Sequence, residues 1–269
     1  MPNSSYFMES DDEAKRLDIK TDPAKVKQQA LWAGIKPGMR VADLGCGSGK
    51  TSFYLNQLVQ PGGETIGVDF AEQRIRFAEK NYRADGLTFK CMDVRDSLDE
   101  LGSFDFIWVR FLLEYYKSNS FNILENIFKI LKPGGILCLI DLDYNCLSHY
   151  GMPERILNAF QALIGIAEQN ADFDPYAGRK LYCYLYDLGC QEIDVKVSSH
   201  HLIFGHLKEV DDYNWSKKVG AAGIKSGYSF KEYQNGYEDF AEEFKSAFAD
   251  PRRFTYTPIM LAKGRKPTV

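Results

Sequence analysis

Residues 43–51 form a glycine-rich loop, Asp-Leu-Gly-Cys-Gly-Ser-Gly-Lys-Thr, whose letters fit two different cofactors. The closing Gly-Lys-Thr is how a phosphate-binding P-loop ends, which would make the protein a nucleoside triphosphatase. A P-loop also needs glycine at position 44, where the backbone wraps the β-phosphate, and this residue is Leu44. One feature still favours the P-loop, because Asp141 ends an apolar strand as a magnesium-binding Asp does. The spacing nevertheless favours an Asp-x-Gly-x-Gly-x-Gly turn that binds a nucleotide-like cofactor at a helix N-terminus.

An acidic residue supports this second interpretation. Asp69 lies 24 positions after Gly45 and ends the next predicted strand. A carboxylate at that place can accept hydrogen bonds from both hydroxyls of a ribose. The glycine loop alone is a weak signal, and the loop together with a placed acid is a stronger one.

The elements around the loop alternate between strand and helix. Five strand-like segments are separated by helical or turn segments: Arg40–Asp43, Thr65–Asp69, Leu87–Cys91, Phe104–Val109 and Ile136–Ile140. Alternation at this spacing predicts an α/β fold with a doubly wound, mainly parallel sheet. Further strands are expected at Ile193–Val197 and Phe254–Ala262, and the polar block 205–250 between them is expected to form two helices.

Five segments in order resemble the class I S-adenosylmethionine-dependent methyltransferases, in particular their UbiE-like small-molecule branch. They are Val41–Gly49, Gly67–Phe70, Met92–Val94, Phe104–Val109 and Leu131–Gly135. The resemblance implies a Rossmann-like sheet of seven strands, the last one antiparallel. It also implies S-adenosylmethionine as cofactor, S-adenosylhomocysteine as product, and methyl transfer by in-line displacement.

At the methionine end of the cofactor, the resemblance implies that Gly45, Cys46 and Gly47 lie under the methionine portion, because small residues allow that approach. Val109 and Arg110 would border the reactive sulfonium and the methionine carboxylate. Many relatives lack an arginine at this place, and a guanidinium is a natural partner for a carboxylate.

At the adenosine end, the resemblance implies that Asp69 binds the ribose hydroxyls and that Phe70 packs on the adenine face. Asp93 would accept a hydrogen bond from the adenine amino group, and the Val94 backbone amide would donate to the ring. Arg74 would lie near the adenosine edge. The alternatives are a capping role for Asp93, a core role for Phe70 and a solvated surface position for Arg74.

Methyl transfer needs a general base only when the acceptor arrives protonated. The predicted catalytic residues follow the fifth strand: Asp141, Asp143 and Tyr144. Asp141 has the best position, since it ends a buried strand at the edge where such sheets bind ligands. His149 and the pair His200-His201 are further candidates, each more typical of a structural histidine. The paired histidines are expected to point to opposite faces of a strand.

The composition narrows the choice of partners. A net charge of −4 disfavours long nucleic acids, and the spacing of the six cysteines and four histidines predicts no metal site. With no leader and no apolar run of membrane-spanning length, we expect a cytoplasmic protein without a membrane span, as a monomer or homodimer. The Val-Arg-Phe-Leu sequence at 109–112 lacks the Asn/Asp-Pro-Pro-Tyr element of the family's adenine- and glutamine-methylating members. A small-molecule acceptor is therefore expected.

Four parts are predicted along the chain. Residues 1–38 would form a helical arm over the cofactor site, and 39–204 the methyltransferase core with a helical insertion at about 145–190. Residues 205–250 would form a helical cap, and 251–269 the final strand.

In the arm, Tyr6 and the Glu13-x-x-Arg16-Leu17 segment resemble a part that some relatives fold over the cofactor; an exposed charged helix is the alternative. Aromatic residues of the cap suit a hydrophobic acceptor or, alternatively, a core between cap and sheet. A non-catalytic cofactor-binding or interaction module on this fold also remains open.

Overall fold

The computed structural model describes residues 13–268, except for the side chain of Lys225, so Tyr6 and the rest of 1–12 lie outside the described residues. The described chain contains eight strands: β1 (Arg40–Leu44), β2 (Glu64–Asp69), β3 (Leu87–Cys91), β4 (Phe104–Arg110), β5 (Leu131–Leu142), β6 (His149–Tyr150), β7 (Gln191–Ile203) and β8 (Phe254–Arg265). It also contains nine α-helices: α1 (Glu13–Lys20), α2 (Pro23–Ala33), α3 (Lys50–Val59), α4 (Glu72–Asn81), α5 (Ser120–Lys129), α6 (Glu154–Asn170), α7 (Leu181–Asp187), α8 (Glu209–Lys225) and α9 (Tyr237–Ala249).

All eight strands belong to one sheet. Its order is β3-β2-β1-β4-β5-β8, with β6 and β7 both paired to β8. Strands β1 to β5 are parallel, and β8 runs antiparallel to β5. The predicted α/β doubly wound fold is confirmed. The predicted count of seven strands omits β6, a two-residue strand that pairs with the start of β8 and is too short to leave a sequence pattern.

Local sequence explains how the helices begin beside the sheet. Asp22 caps α2 by accepting a hydrogen bond from the Ala24 backbone N–H at 2.9 Å, and Pro23 occupies the first helical position. Helix α3 begins after Gly49, whose φ is +82°. A Cβ atom at Gly49 would lie 2.5 Å from the Ala78 Cβ atom and 2.9 Å from the Phe89 ring. Glycine therefore allows the loop after β1 to approach α4 and β3 closely.

Helices α6, α8 and α9 pack together beyond one end of the sheet. Their shared apolar cluster includes Trp215, Phe230, Phe240 and Phe244, all almost completely buried. Aromatic residues of the 205–250 block thus pack in the core of this cluster rather than on its surface. The block contains two helices, as predicted.

Candidate functional site

A cavity that is partly open to solvent lies where β1, β2 and β4 end. This is the carboxyl edge of the sheet, where open α/β folds bind ligands. Eight of the ten predicted cofactor residues line it: Gly45, Cys46, Gly47, Asp69, Phe70, Arg74, Val94 and Arg110. Asp93 and Val109 do not line it.

The backbone amides of the glycine loop are directed into the protein. The N–H groups of Gly45 and Cys46 donate to the Val68 carbonyl oxygen at 2.8 and 2.9 Å, and the Gly47 N–H donates to the Asp69 carboxylate at 2.9 Å. In a P-loop these groups would surround a phosphate. The Lys50 ammonium donates to the Asp18 carbonyl oxygen at 2.8 Å, on α1. Loop and lysine are therefore arranged unlike a triphosphate site.

Asp69 is the centre of the adenosine side of the cavity. Besides Gly47, the Ala71 N–H donates to its carboxylate at 3.0 Å and the Arg74 guanidinium at 2.9 Å. Both partners of the Asp69–Arg74 pair are buried, with side chains 7% and 5% exposed. The alternative of a solvated Arg74 is therefore wrong, because its guanidinium is needed as the counter-ion of a buried carboxylate.

Phe70 and the loop after β3 complete this side. Phe70 is 43% exposed, so it is no core residue, and the Arg74 guanidinium lies 4.8 Å from its ring centroid. Val94 lines the cavity, whereas the Asp93 carboxylate accepts from the Arg95 backbone N–H at 2.9 Å and from the Arg95 guanidinium at 3.0 Å. Burial would raise the pKa of Asp93, but these hydrogen bonds and the charge of Arg95 outweigh it and lower the pKa. The predicted contact from Asp93 to adenine stays a prediction.

The opposite side of the cavity carries Asp43 and Arg110. The Ser52 hydroxyl donates to the Asp43 carboxylate at 2.6 Å. Burial raises the pKa of Asp43 to about 7, against the hydrogen bond of Ser52 and the charge of Arg110. Burial also lowers the pKa of Arg110 to about 10, although Asp43 and Asp141 oppose it. The Arg110 Nε atom is buried and has no hydrogen-bond partner, so this guanidinium has a free donor at the cavity.

The three predicted catalytic residues do not line the cavity. The Asp141 carboxylate accepts from the backbone N–H groups of Leu113 and Glu114, at 3.0 and 3.2 Å, which ties it to the chain after β4. Burial, with the nearby charge of Glu114, raises its pKa well above the usual range. Asp143 forms a bidentate pair with Arg179 at 2.8 and 2.9 Å. Their functional groups are already engaged in holding the fold.

Tyr144 is 44% exposed and packs edge-on against Tyr176, away from the cavity lining. His149 is also absent from the lining; its ring nitrogens contact the Thr255 hydroxyl at 2.8 Å and the Cys146 carbonyl oxygen at 3.1 Å. A structural role for His149 agrees with these contacts.

The pair His200-His201 differs from the prediction. The strand register shifts between Ser199 and His201, so His200 is an extra residue in β7. This bulge places the two rings side by side, with centroids 4.2 Å apart, instead of on opposite faces. His200 lines the cavity and His201 does not.

Leu17 on α1 also lines the cavity; it belongs to the Glu13-x-x-Arg16-Leu17 segment that resembles a part folded over the cofactor. Other lining residues were not predicted as site residues: Lys20 and Thr21 from the end of α1, and Phe111 and Leu112 after β4. None of these four belongs to a motif, and the only signal for Lys20 was its place in the predicted arm. Arg16 on the same helix is 7% exposed and paired with Glu13 at 2.6 Å, so the alternative of an exposed charged helix is wrong; Arg16 does not line the cavity.

No described residue between 205 and 250 belongs to the cavity lining, and the predicted role of this block as a cap stays a prediction. Across residues 13–268, no group of three or more His, Cys, Asp or Glu side chains is arranged to hold a metal ion. In the same residues no helix combines the length and apolarity needed to cross a membrane.

Comparison with known proteins agrees with this geometry. A family model described as a methyltransferase domain matches residues 35–190. A demethylmenaquinone methyltransferase of Lactococcus lactis subsp. lactis (strain IL1403) is 30% identical over 134 residues, which cover 46% of this chain and 53% of that protein. The chain thus spans about half the length of the curated relatives it matches.

Two solved structures share the fold over most of the chain. A phosphoethanolamine N-methyltransferase 2 of Haemonchus contortus is 15% identical with a TM-score of 0.60, covering 99% of this chain and 61% of that one. A putative methyltransferase of Bacillus halodurans C-125 is 18% identical with a TM-score of 0.57, covering 92% and 99%. The resemblance found in the sequence is therefore confirmed: the chain belongs to the methyltransferase-domain family, in the UbiE-like branch of the class I S-adenosylmethionine-dependent methyltransferases.

Proposed function

We propose that this protein transfers a methyl group from S-adenosylmethionine to a small-molecule acceptor. The observation that carries the proposal is the joint placement of Asp69, Phe70 and the glycine loop on one side of the cavity, with Arg110 on the other. Asp69 retains one lone pair, on Oδ2, for a ribose hydroxyl beside its three protein donors, and Phe70 offers an exposed ring for adenine. The unpartnered Nε of Arg110 suits the methionine carboxylate.

The loop also fits the cofactor sterically. Gly45 and Gly47 have φ angles of +82° and +56°, and a Cβ atom at Gly47 would lie 3.0 Å from Leu17 of α1. Because glycine has no side chain, these residues leave space in the cavity between the loop and α1. Within the proposal, Cys46 lies under the methionine portion, where burial raises its pKa and keeps the thiol neutral.

The sulfonium supplies an activated methyl group, so the chain's task is to align the acceptor and exclude water. Leu112 and Tyr115 give the acceptor side of the cavity a largely apolar wall. Asp43, with its pKa raised to about 7, is the lining carboxyl group best placed to exchange a proton near neutral pH. No described residue of 205–250 lines the cavity, which supports an enzyme over a non-catalytic module whose cap blocks the methyl group.

The test is calorimetric titration with S-adenosylhomocysteine of the wild type, Phe70→Leu and Tyr150→Leu. Tyr150 is 78% exposed and does not line the cavity, so it is the matched aromatic control. Loss of stacking at Phe70 should weaken binding by about 1–3 kcal/mol, or roughly 5- to 150-fold. Binding of magnesium ATP in place of S-adenosylhomocysteine would refute the proposal. Formation of S-adenosylhomocysteine from S-adenosylmethionine with a panel of small acceptors then tests turnover.

A further inference from the structure

Three basic side chains from distant parts of the sequence surround one aromatic ring in the cavity. The Lys20 ammonium lies 5.0 Å from the Phe111 ring centroid, the Arg110 guanidinium carbon 4.1 Å, and the His200 ring centroid 4.9 Å. All four residues line the cavity. We call Lys20, Arg110 and His200 the basic cluster.

The basic cluster has unused hydrogen-bonding capacity. The Nε atom of Arg110 and the Nε2 atom of His200 are buried without a hydrogen-bond partner. Within the described part of the chain, the recorded contact of the Lys20 ammonium is with the Phe111 ring, and no hydrogen bond or ion pair accompanies it. Buried donors without partners are costly, so such a group in a cavity points to a ligand that satisfies it.

The charges around Lys20 are mainly positive. Lys20 faces Arg16, Lys218, Arg110 and one acid, Glu114. Burial, and to a lesser extent the charges of these cations, lowers the pKa of Lys20 to about 7. Glu114 already accepts a hydrogen bond from the Asn145 amide at 2.7 Å. An anion in the cavity would relieve this repulsion and keep Lys20 charged.

The backbone is bent to bring the ring there. Phe111 has a φ of +56°, in the left-handed region that a non-glycine residue rarely adopts, and its N–H donates to the Ile140 carbonyl oxygen at 2.9 Å. His200 reaches the same ring through the bulge in β7. Two irregular backbone segments thus converge on one point of the cavity.

We infer that Lys20 and His200, over the Phe111 ring, form an oxyanion subsite for the methyl acceptor, which therefore carries a carboxylate or phosphate group. The inference rests on the proposed function. There Arg110 binds the one carboxylate that the cofactor brings, which leaves Lys20 and His200 for a second anion. The apolar wall beside them accommodates the rest of the acceptor.

The experiment titrates protein saturated with S-adenosylhomocysteine, so that the cofactor's own carboxylate site is filled. The probes are benzoate, phenyl phosphate and the neutral isostere benzamide, each measured by calorimetry. The variants are Lys20→Gln, Lys20→Arg and, as control, Lys15→Gln. Lys15 is exposed on the same helix and gives the same change in charge.

We expect at least one anion to bind the wild type and Lys15→Gln at least about tenfold more tightly than benzamide, as one charge-assisted hydrogen bond gives. Lys20→Gln should reduce that preference below about threefold, and Lys20→Arg should restore it. Benzoate or phenyl phosphate binding best identifies the oxyanion.

Equal binding of anions and benzamide, or an unchanged preference in Lys20→Gln, overturns the subsite. So does anion binding that S-adenosylhomocysteine abolishes, because the basic cluster then serves only the cofactor. Failure of the wild type to bind S-adenosylhomocysteine at all would instead refute the proposed function.

Discussion

Replacing Asp69 by asparagine tests the adenosine side of the site most directly. The substitution keeps the shape of the side chain and removes its charge. In the wild type the carboxylate accepts from the Gly47 and Ala71 backbone N–H groups and from the Arg74 guanidinium, all at 2.9–3.0 Å. An asparagine has only one accepting oxygen, so its amide group must face at least one of these donors.

Two separate losses follow. Weakening the buried pair with Arg74 should lower the free energy of unfolding by about 3 kcal/mol, near the lower end for broken buried pairs, because Arg74 keeps its contact with the Phe70 ring. For the cofactor, the hydrogen bond from a ribose hydroxyl to a charged acceptor becomes a bond to a neutral one. That change costs about 1–1.5 kcal/mol, or roughly 5- to 13-fold in the Kd of S-adenosylhomocysteine.

Urea denaturation measures the first loss and calorimetric titration the second. The matched control is Glu72→Gln on α4, which removes a carboxylate from a pair with Arg76 at 2.6 Å in which both side chains are about 70% exposed (69% and 71%). Solvent screens such a pair, so the control should change the free energy of unfolding by less than about 0.5 kcal/mol and leave the Kd unchanged.

The reasoning is refuted if Asp69→Asn loses stability as expected but binds S-adenosylhomocysteine within about threefold of the wild type. Asp69 would then only hold the glycine loop and Arg74, and another group would bind the ribose. A stable variant with weakened binding would instead show that the Asp69–Arg74 pair contributes little to folding.

Three further predictions concern the loop and the fold. Gly49→Ala should destabilise the protein by about 2–5 kcal/mol in urea denaturation, because a methyl group at φ +82° would also meet Ala78 at 2.5 Å; Gly38→Ala, with φ +81° and open space, should cost only about 1–2 kcal/mol. Lys50→Met should not alter magnesium ATP titrations, which should show no binding in either protein, and should leave S-adenosylhomocysteine binding intact, since Lys50 contacts α1 and not the cavity. Burial lowers the pKa of His149 to about 4, so the unfolded chain takes up a proton near pH 6.5 that the folded chain does not, and stability falls as the pH drops through that range; His149→Gln should therefore lose about 1.3 kcal/mol less than the wild type between pH 7.5 and 5.5.

Each of the three has a contrary outcome. Equal costs at Gly49 and Gly38 would show that α4 moves aside to admit the methyl group. Binding of ATP that depends on Lys50 would restore the P-loop interpretation. Parallel loss of stability with pH in both proteins would mean that His149 is protonated in the folded state.

The cofactor side of the site could be predicted because its residues lie in short continuous segments. Gly45 to Gly47 follow β1, Asp69 is the last residue of β2, and Phe70 comes directly after it. The order of strand, loop and helix therefore predicts their positions without knowledge of any contact. The composition of the 205–250 block also predicted its two helices. The pairing of Arg74 with the buried Asp69 was not predicted, because a charged residue on an amphipathic helix gives no sign of such a partner.

The acceptor side could not be predicted, because its residues are far apart in sequence and depend on irregular backbone. Lys20, Phe111 and His200 meet only after α1, β4 and β7 have taken their places. The bulge that turns His200 into the cavity has no sequence signature, since Ser198 to His201 are all polar and show no alternation that would fix the strand register. The sequence likewise gives no indication of the left-handed backbone conformation of Phe111.

This division follows from what each side of the cavity must recognise. A cofactor shared by a whole family can be bound by one loop and two strand ends, which a sequence motif records. An acceptor must be distinguished by groups assembled from separate elements, and here one of those groups, His200, has a buried Nε2 atom without a hydrogen-bond partner. The Asp69 carboxylate on the cofactor side already accepts three hydrogen bonds, whereas a buried polar atom on the acceptor side has no partner. The residues of the acceptor side are therefore the ones that select the substrate.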